Sequence, residues 1–207
     1  EELALKKKSL LSSGKPPIYD RSSLNLSDDE INQKIESGKK PHWRFKLEID
    51  DINWKDLIKG NVSFDPKNLS DPVLIREDGT LLYHLPSVID DIEENITHII
   101  RGEDHIANTA YHIQIFKALG STIPIFAHHP FLIDDKGKGF SKRMGSLSIE
   151  NFKNEGFENI TLLNYFLFIG SSSNIEPSKD LNEIINKFNI NNVSKSSAKF
   201  LKESLVA

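Results

Sequence analysis

The residues best suited to chemistry run from Asp134 to Gly145, in the order Asp-Asp-Lys-Gly-Lys-Gly-Phe-Ser-Lys-Arg-Met-Gly. Glycines let backbone N–H groups approach phosphate oxygens, and Lys142 and Arg143 can neutralise charge that develops on them. Such a loop suits the carboxyl ends of strands in an α/β sheet, where ligands bind. A solvated surface hairpin accounts for the same composition, and composition alone leaves both readings open. A second constellation, Arg101-Gly102-Glu103-Asp104-His105, straddles a strand end and a helix start. Asp104 is a natural N-cap there. Arg101 needs a carboxylate or phosphate partner, and a ligand clamp and an internal ion pair are equally open. A third, Tyr83-His84-Leu85-Pro86-Ser87, is followed by Asp90-Asp91, two carboxylates placed before a predicted helix. Helix-terminal solvation accounts for those acids without a metal. His128-His129 lacks zinc-ligand spacing, because neighbouring side chains on a strand face opposite ways. No metal site is expected.

These residues require elements to hold them. Thr97-His98-Ile99-Ile100 is a β-branched run that predicts a strand covered on both faces. Ile106, Ala110, Ile113, Phe116 and Leu119 form a helical stripe stopped by Gly120. With the run Ile125-Phe126-Ala127 they make a βαβ unit, which belongs to a parallel sheet. One unit cannot close such a sheet, so further strands are expected before Glu1. Upstream, residues 1–83 read as α+β, beginning with a helix over 1–13. Ser27 and Glu30 make a capping box, Ile31 and Ile35 the stripe, and Gly38 the stop. Trp43, Phe45, Leu47 and Ile49 alternate with Arg44, Lys46 and Glu48 as a half-buried strand. Val62 with Phe64, and Val73-Leu74-Ile75, give shorter strands. Asp78-Gly79 marks a hairpin before Leu81-Leu82-Tyr83. Downstream, residues 146–207 read as helices only, over 149–155, 160–169, 180–188 and 196–204.

Composition narrows the classes of function. A chain of 207 residues, 38% hydrophobic and 27% charged, reads as one or two globular domains. Its apolar runs fall far short of the ~20 residues needed to span a bilayer. The absence of cysteine excludes disulfides, thiolate zinc sites and thiol nucleophiles. Twenty-six basic against thirty acidic residues give −4, so any nucleic-acid contact must come from local patches. The chain opens on Glu and closes on an apolar stretch, and both ends are expected to lie inside a longer polypeptide.

Five groups of residues, in this order, resemble bacterial glutamyl-tRNA synthetase, a class I aminoacyl-tRNA synthetase family. They are Asp78-Gly79-Thr80; Tyr83-His84-Leu85; Asp90-Asp91; the run from Thr97 to His105; and Phe140-Ser141-Lys142-Arg143. The likeness reaches back to Gly14-Lys15-Pro16-Pro17-Ile18-Tyr19-Asp20 and forward to Leu163-Asn164-Tyr165-Phe166-Leu167 and Gly170. It implies an α/β fold: a partial Rossmann-type parallel sheet over 84–145, an acceptor-stem-binding insertion over 1–83, and a helical stem-contact region over 146–207. The family's His-Ile-Gly-His half and anticodon-binding domains fall outside this sequence, so the chain is expected to be inactive alone.

The implied reaction joins L-glutamate to tRNA(Glu) through glutamyl-adenylate, using ATP with Mg²⁺. No protein-bound zinc is implied, and the expected setting is a cytoplasmic monomer. By the resemblance, Tyr83, Ser87 and Arg101 hold glutamate. Asp104, His105, Phe131, Leu132, Gly139, Phe140, Ser141, Lys142 and Arg143 lie on the ATP side, with Lys142 and Arg143 catalytic. Two departures stand out. Ser87 falls where many relatives have Asn, and Gly139 where many have Lys, with Lys138 one place early. A glutamine-specific synthetase, the truncated sibling that glutamylates a tRNA base, and a non-catalytic tRNA-binding fragment are the alternatives. Charging of tRNA(Gln) is read by domains outside this sequence.

Overall fold

A computed structural model describes residues 2–14, 17–139 and 148–205. They divide into two units, the first comprising residues up to Trp54, Asn61–His98 and Ile106–Pro124. Lys55–Gly60, Ile99–His105 and the residues from Ile125 onward make the second.

The first unit begins with helices α1 (Glu2–Ser12) and α2 (Asp28–Glu36). The capping box forms as expected: Ser27 Oγ accepts from the Glu30 N–H, and the Glu30 carboxylate accepts from the Ser27 N–H at 2.8 Å. Strands β1 (Trp43–Arg44), β2 (Ile52–Asp56), β3 (Gly60–Phe64) and β4 (Val73–Ile75) follow, paired β1 with β4 and β2 with β3. The strand expected to continue to Ile49 stops after two residues. Its later amides bond to side chains instead, Leu47 N–H to Asp71 Oδ1 at 3.0 Å and Glu48 N–H to Gln114 Oε1 at 2.8 Å. Leu47 is buried by this arrangement, while Ile49 is 73% exposed. Asp71 also receives Nε and Nη2 of Arg21, both at 2.8 Å. The Asp78-Gly79 turn closes with Arg76 N–H to Thr80 O at 2.9 Å, Gly79 taking a φ of 85°.

Helix α3 (His84–Glu93) contains Asp90 and Asp91, which corrects their expected place before a helix. Pro86 is tolerated because it falls in the first turn, where amides lack helical partners. After strand β5 (His98–Gly102) comes helix α4 (Ile106–Ala118), which packs on α3. Its burial is wider than one stripe, since Thr109, His112 and Gln114 are buried along with Ala110, Ile113 and Phe116.

In the second unit β5 pairs with β6 (Ile125–His129), giving the expected strand–helix–strand succession. Coverage on both faces is not found among the described residues, because Ile100 is 59% exposed. Strand β7 (Leu132–Ile133) and helices α5 (Ile149–Asn154), α6 (Asn159–Phe168) and α7 (Leu181–Lys187) follow. The helix expected over 196–204 is instead strand β8 (Ala198–Lys199) and a 3-10 turn (Lys202–Leu205), so this region is not helical throughout. Strand β8 runs parallel to β7, with Phe200 N–H on Ile133 O at 2.9 Å. That pairing drops Phe200 into a core with Phe152, Leu162, Tyr165 and Leu205. Burying each such side chain contributes about 1.5–3 kcal/mol, which outweighs the weak helical preference of 196–204. The turn that follows α6 approaches β8 closely at Gly170, whose φ is 72° and where a Cβ would stand 2.6 Å from that of Ala198.

Candidate functional site

The turn after β2 begins the site. A carboxylate on the buried face of a strand needs donors, and Asp56 collects four. Its Oδ1 accepts from the N–H groups of Ile58, Lys59 and His128 at 3.0, 2.9 and 3.1 Å. Its Oδ2 accepts from His128 Nδ1 at 2.6 Å, and both side chains are fully buried. Burial pushes the Asp56 carboxyl up, but the hydrogen bonds from Lys59, His128 and Ile58 outweigh it and hold the group below the usual carboxylate range. Burial pushes the His128 imidazole down, and more strongly than Asp56 raises it. The pair is therefore a carboxylate and a neutral imidazole, its proton on Nδ1 and its lone pair on Nε2. That lone pair faces Arg101 Nε at 3.4 Å. The Arg101 guanidinium also lies over the Phe126 ring, 5.9 Å from its centre.

The same turn supplies Lys59. Its Nζ lies 2.6 Å from Glu103 Oε2 and 2.7 Å from Lys195 O, and Glu103 Oε1 accepts from the Phe131 N–H at 3.2 Å. The ammonium of Lys59 holds the Glu103 carboxyl below its ordinary range despite partial burial. Asp104 and His105 complete a 3-10 turn ahead of α4, with His105 Nε2 3.7 Å from Asp104 Oδ2. Gly102 makes room for this turn, since a Cβ there would stand 2.5 Å from Asp104 Oδ1. Phe131 is 48% exposed, and Leu132 lies half-buried in β7. Both line an apolar cavity of about 570 Å³, together with Ile100, Phe166, Ile190 and Phe200.

Beyond β7 the chain turns over residues 134–138, with Asp134 Oδ1 accepting from the N–H groups of Lys136 and Lys138 at 3.0 and 2.7 Å. Gly139 pairs back against Ile133, and no atom of the described residues lies within 4 Å of where its Cβ would stand. Phe140, Ser141, Lys142 and Arg143, the core of the expected phosphate loop, lie outside the described residues.

Tyr83 and Ser87 belong to the first unit. Tyr83 is 45% exposed and tilts against the rings of His84 and His112, each at 5.4 Å. The Ser87 N–H bonds to the Tyr83 carbonyl at 3.2 Å. Within the second unit the structure brings together Arg101, His105 and, through Glu103, Phe131. Sequence reasoning passed over Asp56, Lys59, Glu103 and the linking role of His128. The signal for Asp56 was available: Ile52, Trp54 and Asp56 share one face of an alternating strand, which puts a carboxylate among apolar side chains. Among the described residues, no three or more His, Asp or Glu side chains cluster as a metal cage. No helix among them is long and apolar enough to cross a membrane.

The family described as tRNA synthetases class I (E and Q), catalytic domain, matches residues 1–207. A glutamate–tRNA ligase of Azospirillum brasilense is 51% identical over 207 residues, which is all of this chain and 46% of that protein. Glutamate–tRNA ligase 2 of Rickettsia canadensis is 49% identical over the same length and share. Among solved structures, a glutamate tRNA ligase from Elizabethkingia meningosepticum in complex with its amino acid superposes with a TM-score of 0.85 at 28% identity. That match covers 99% of this chain and 46% of the other. The chain thus spans about half the length of the relatives it matches. A match running through every residue, together with an α/β fold of small sheets, places this chain in the class I tRNA synthetase family of the E and Q type, within its catalytic domain.

Proposed function

We propose that this chain is part of an enzyme that joins L-glutamate to tRNA through glutamyl-adenylate, with ATP as the second substrate. The observation that carries the proposal is identity of about half, over the whole chain, to proteins named glutamate–tRNA ligases. The chemistry of the site supports it. Arg101 offers a planar, permanently charged fork at the end of β5, and such a fork matches a carboxylate bidentately. Tyr83 and Ser87 are proposed to share the glutamate. Asp104, His105 and the backbone of Phe131 and Leu132 are proposed for ATP, with residues 139–143 on its phosphates and Lys142 and Arg143 stabilising charge in the transition state. Mg²⁺ would enter with the triphosphate, which suits an ion that keeps waters and phosphate oxygens as ligands. The acceptor stem of tRNA(Glu) is proposed to contact residues 1–83 and 146–207, and the reaction is placed in the cytoplasm.

No covalent enzyme intermediate is needed. The α-carboxylate of glutamate attacks the α-phosphorus, pyrophosphate leaves, and the tRNA hydroxyl then displaces AMP from the adenylate. The protein's part is positioning and electrostatics.

The test is ATP–pyrophosphate exchange by a polypeptide that spans the relatives' full length, with glutamate or glutamine, with and without tRNA. Exchange is expected with glutamate, and Arg101→Ala should raise its glutamate KM steeply. Exchange with glutamine alone would replace this reading by the glutamine-specific sibling. Full exchange by Arg101→Ala with lowered thermal stability would make Arg101 an internal ion-pair partner.

A further inference from the structure

We infer that Asp56 and His128 are positioning residues that aim the Arg101 guanidinium at the side-chain carboxylate of the glutamate substrate. The inference rests on the role proposed for Arg101. An arginine side chain has several rotatable bonds, and its fork recognises a carboxylate bidentately only when its plane is fixed. Three features fix it here. The Asp56 carboxylate cannot rotate, because three backbone N–H groups bond its Oδ1. Its remaining oxygen binds His128 Nδ1 at 2.6 Å, which settles both the ring plane and the tautomer. His128 Nε2 is then an acceptor aimed at Arg101 Nε, 3.4 Å away. The third feature is Phe126, which stacks at 16° on the His128 ring and underlies the Arg101 guanidinium.

The pair is also buried beyond what packing alone would favour. Two fully buried polar side chains cost stability unless a complete set of partners offsets them. An apolar pair of similar size would fill the same space. It could not present an acceptor lone pair to an arginine.

Each partner of the pair has a distinct expected effect on substrate binding. His128→Leu removes the acceptor at Nε and loosens the Arg101 plane, although Nη2 still faces the His105 carbonyl at 3.5 Å. Asp56→Asn presents an amide N–H to Nδ1, which shifts the imidazole proton to Nε2 and sets it against the Arg101 N–H. In a polypeptide of the relatives' full length, each should raise the KM for glutamate about 10- to 100-fold, the scale on which small misplacements act. The KM for ATP should move less than about threefold, because Phe131 is tethered separately through Glu103. His128→Gln, whose side-chain oxygen can accept from Arg101, should recover most of the glutamate KM. This rescue keeps the test decisive even where Asp56→Asn folds poorly. Arg101→Ala is measured alongside. If it raises the glutamate KM while soluble His128→Leu and His128→Gln leave it at the parent value, the positioning role is overturned and the reading of Arg101 stands. If Arg101→Ala also leaves it unchanged, both fall.

Discussion

Replacing Glu103 with alanine removes two contacts at once, the Lys59 ammonium at 2.6 Å and the Phe131 N–H at 3.2 Å. The side chains are 14% exposed for Lys59 and 26% for Glu103, so neither charge is fully hydrated when its partner is lost. Breaking a buried pair by deleting one member costs about 3–5 kcal/mol. Two facts reduce that here: Lys59 keeps the Lys195 carbonyl at 2.7 Å, and Phe131 lies near water. A loss of about 2–3 kcal/mol is therefore expected, close to one charge-assisted hydrogen bond. The segment freed is Phe131-Leu132, proposed to read the nucleotide, so the KM for ATP should rise while that for glutamate holds. Glu103→Gln keeps an oxygen for the Phe131 N–H and should preserve the ATP KM while still losing stability. Denaturant unfolding and two-substrate exchange kinetics, run on the same full-length preparations, give both quantities. Unfolding within about 0.5 kcal/mol of the parent, the scatter of ordinary surface substitutions, would refute the reasoning.

Stability should also fall on acidification from about pH 6.5, the ordinary imidazole value. The folded His128 and Asp56 both bind protons less readily than their unfolded forms, so the unfolded state gains protons first and stability rises with pH. Thermal melts at pH 7 and pH 5 check this, and His128→Gln should flatten the upper part of the slope. Gly170→Ala should cost about 2–4 kcal/mol, since it combines a left-handed backbone with overpacking against Ala198; a fall in melting temperature measures it. Lys142→Ala should lower kcat for adenylate formation by about 10²–10³ with a smaller change in ATP KM, the pattern of a contact made mainly in the transition state. Gly139→Lys, whose Cβ would meet no described atom within 4 Å, should raise that rate if a phosphate contact is missing and leave it flat or lower it if Lys138 already supplies one.

Much of the architecture was legible because it is written locally. The Ser27–Glu30 box, the Asp78-Gly79 turn and the helices α5 to α7 depend on neighbours within a few residues. Strand β8 was not, because Ala198-Lys199-Phe200 becomes extended only by pairing with Leu132 and Ile133, more than sixty residues earlier. The truncation of β1 has the same origin: Asp71 and Gln114 capture amides that a local pattern assigns to a strand ladder. Arg101 and Asp104 could be singled out as candidates by residue type at a strand end. Asp56 could not be connected to Arg101 without the fold, since their link passes through His128.

The discontinuity of the second unit bears on how this chain acquires its structure during synthesis. Asp56 is made 72 residues before the imidazole that donates to it, and Lys59 is made 136 residues before the Lys195 carbonyl. At roughly 5–20 residues per second the lysine waits on the order of ten seconds for that partner. Until then the turn at Lys55–Gly60 carries hydrated charges and no core to join, while segments of the first unit emerge around it. Closing loops this long costs only slowly growing entropy, but it makes the contacts late and the folding of the second unit slow. A fragment beginning at Ile125 would lack both Asp56 and Arg101, and would need Lys55–Gly60 and Ile99–His105 supplied in trans to bury His128 beside a carboxylate.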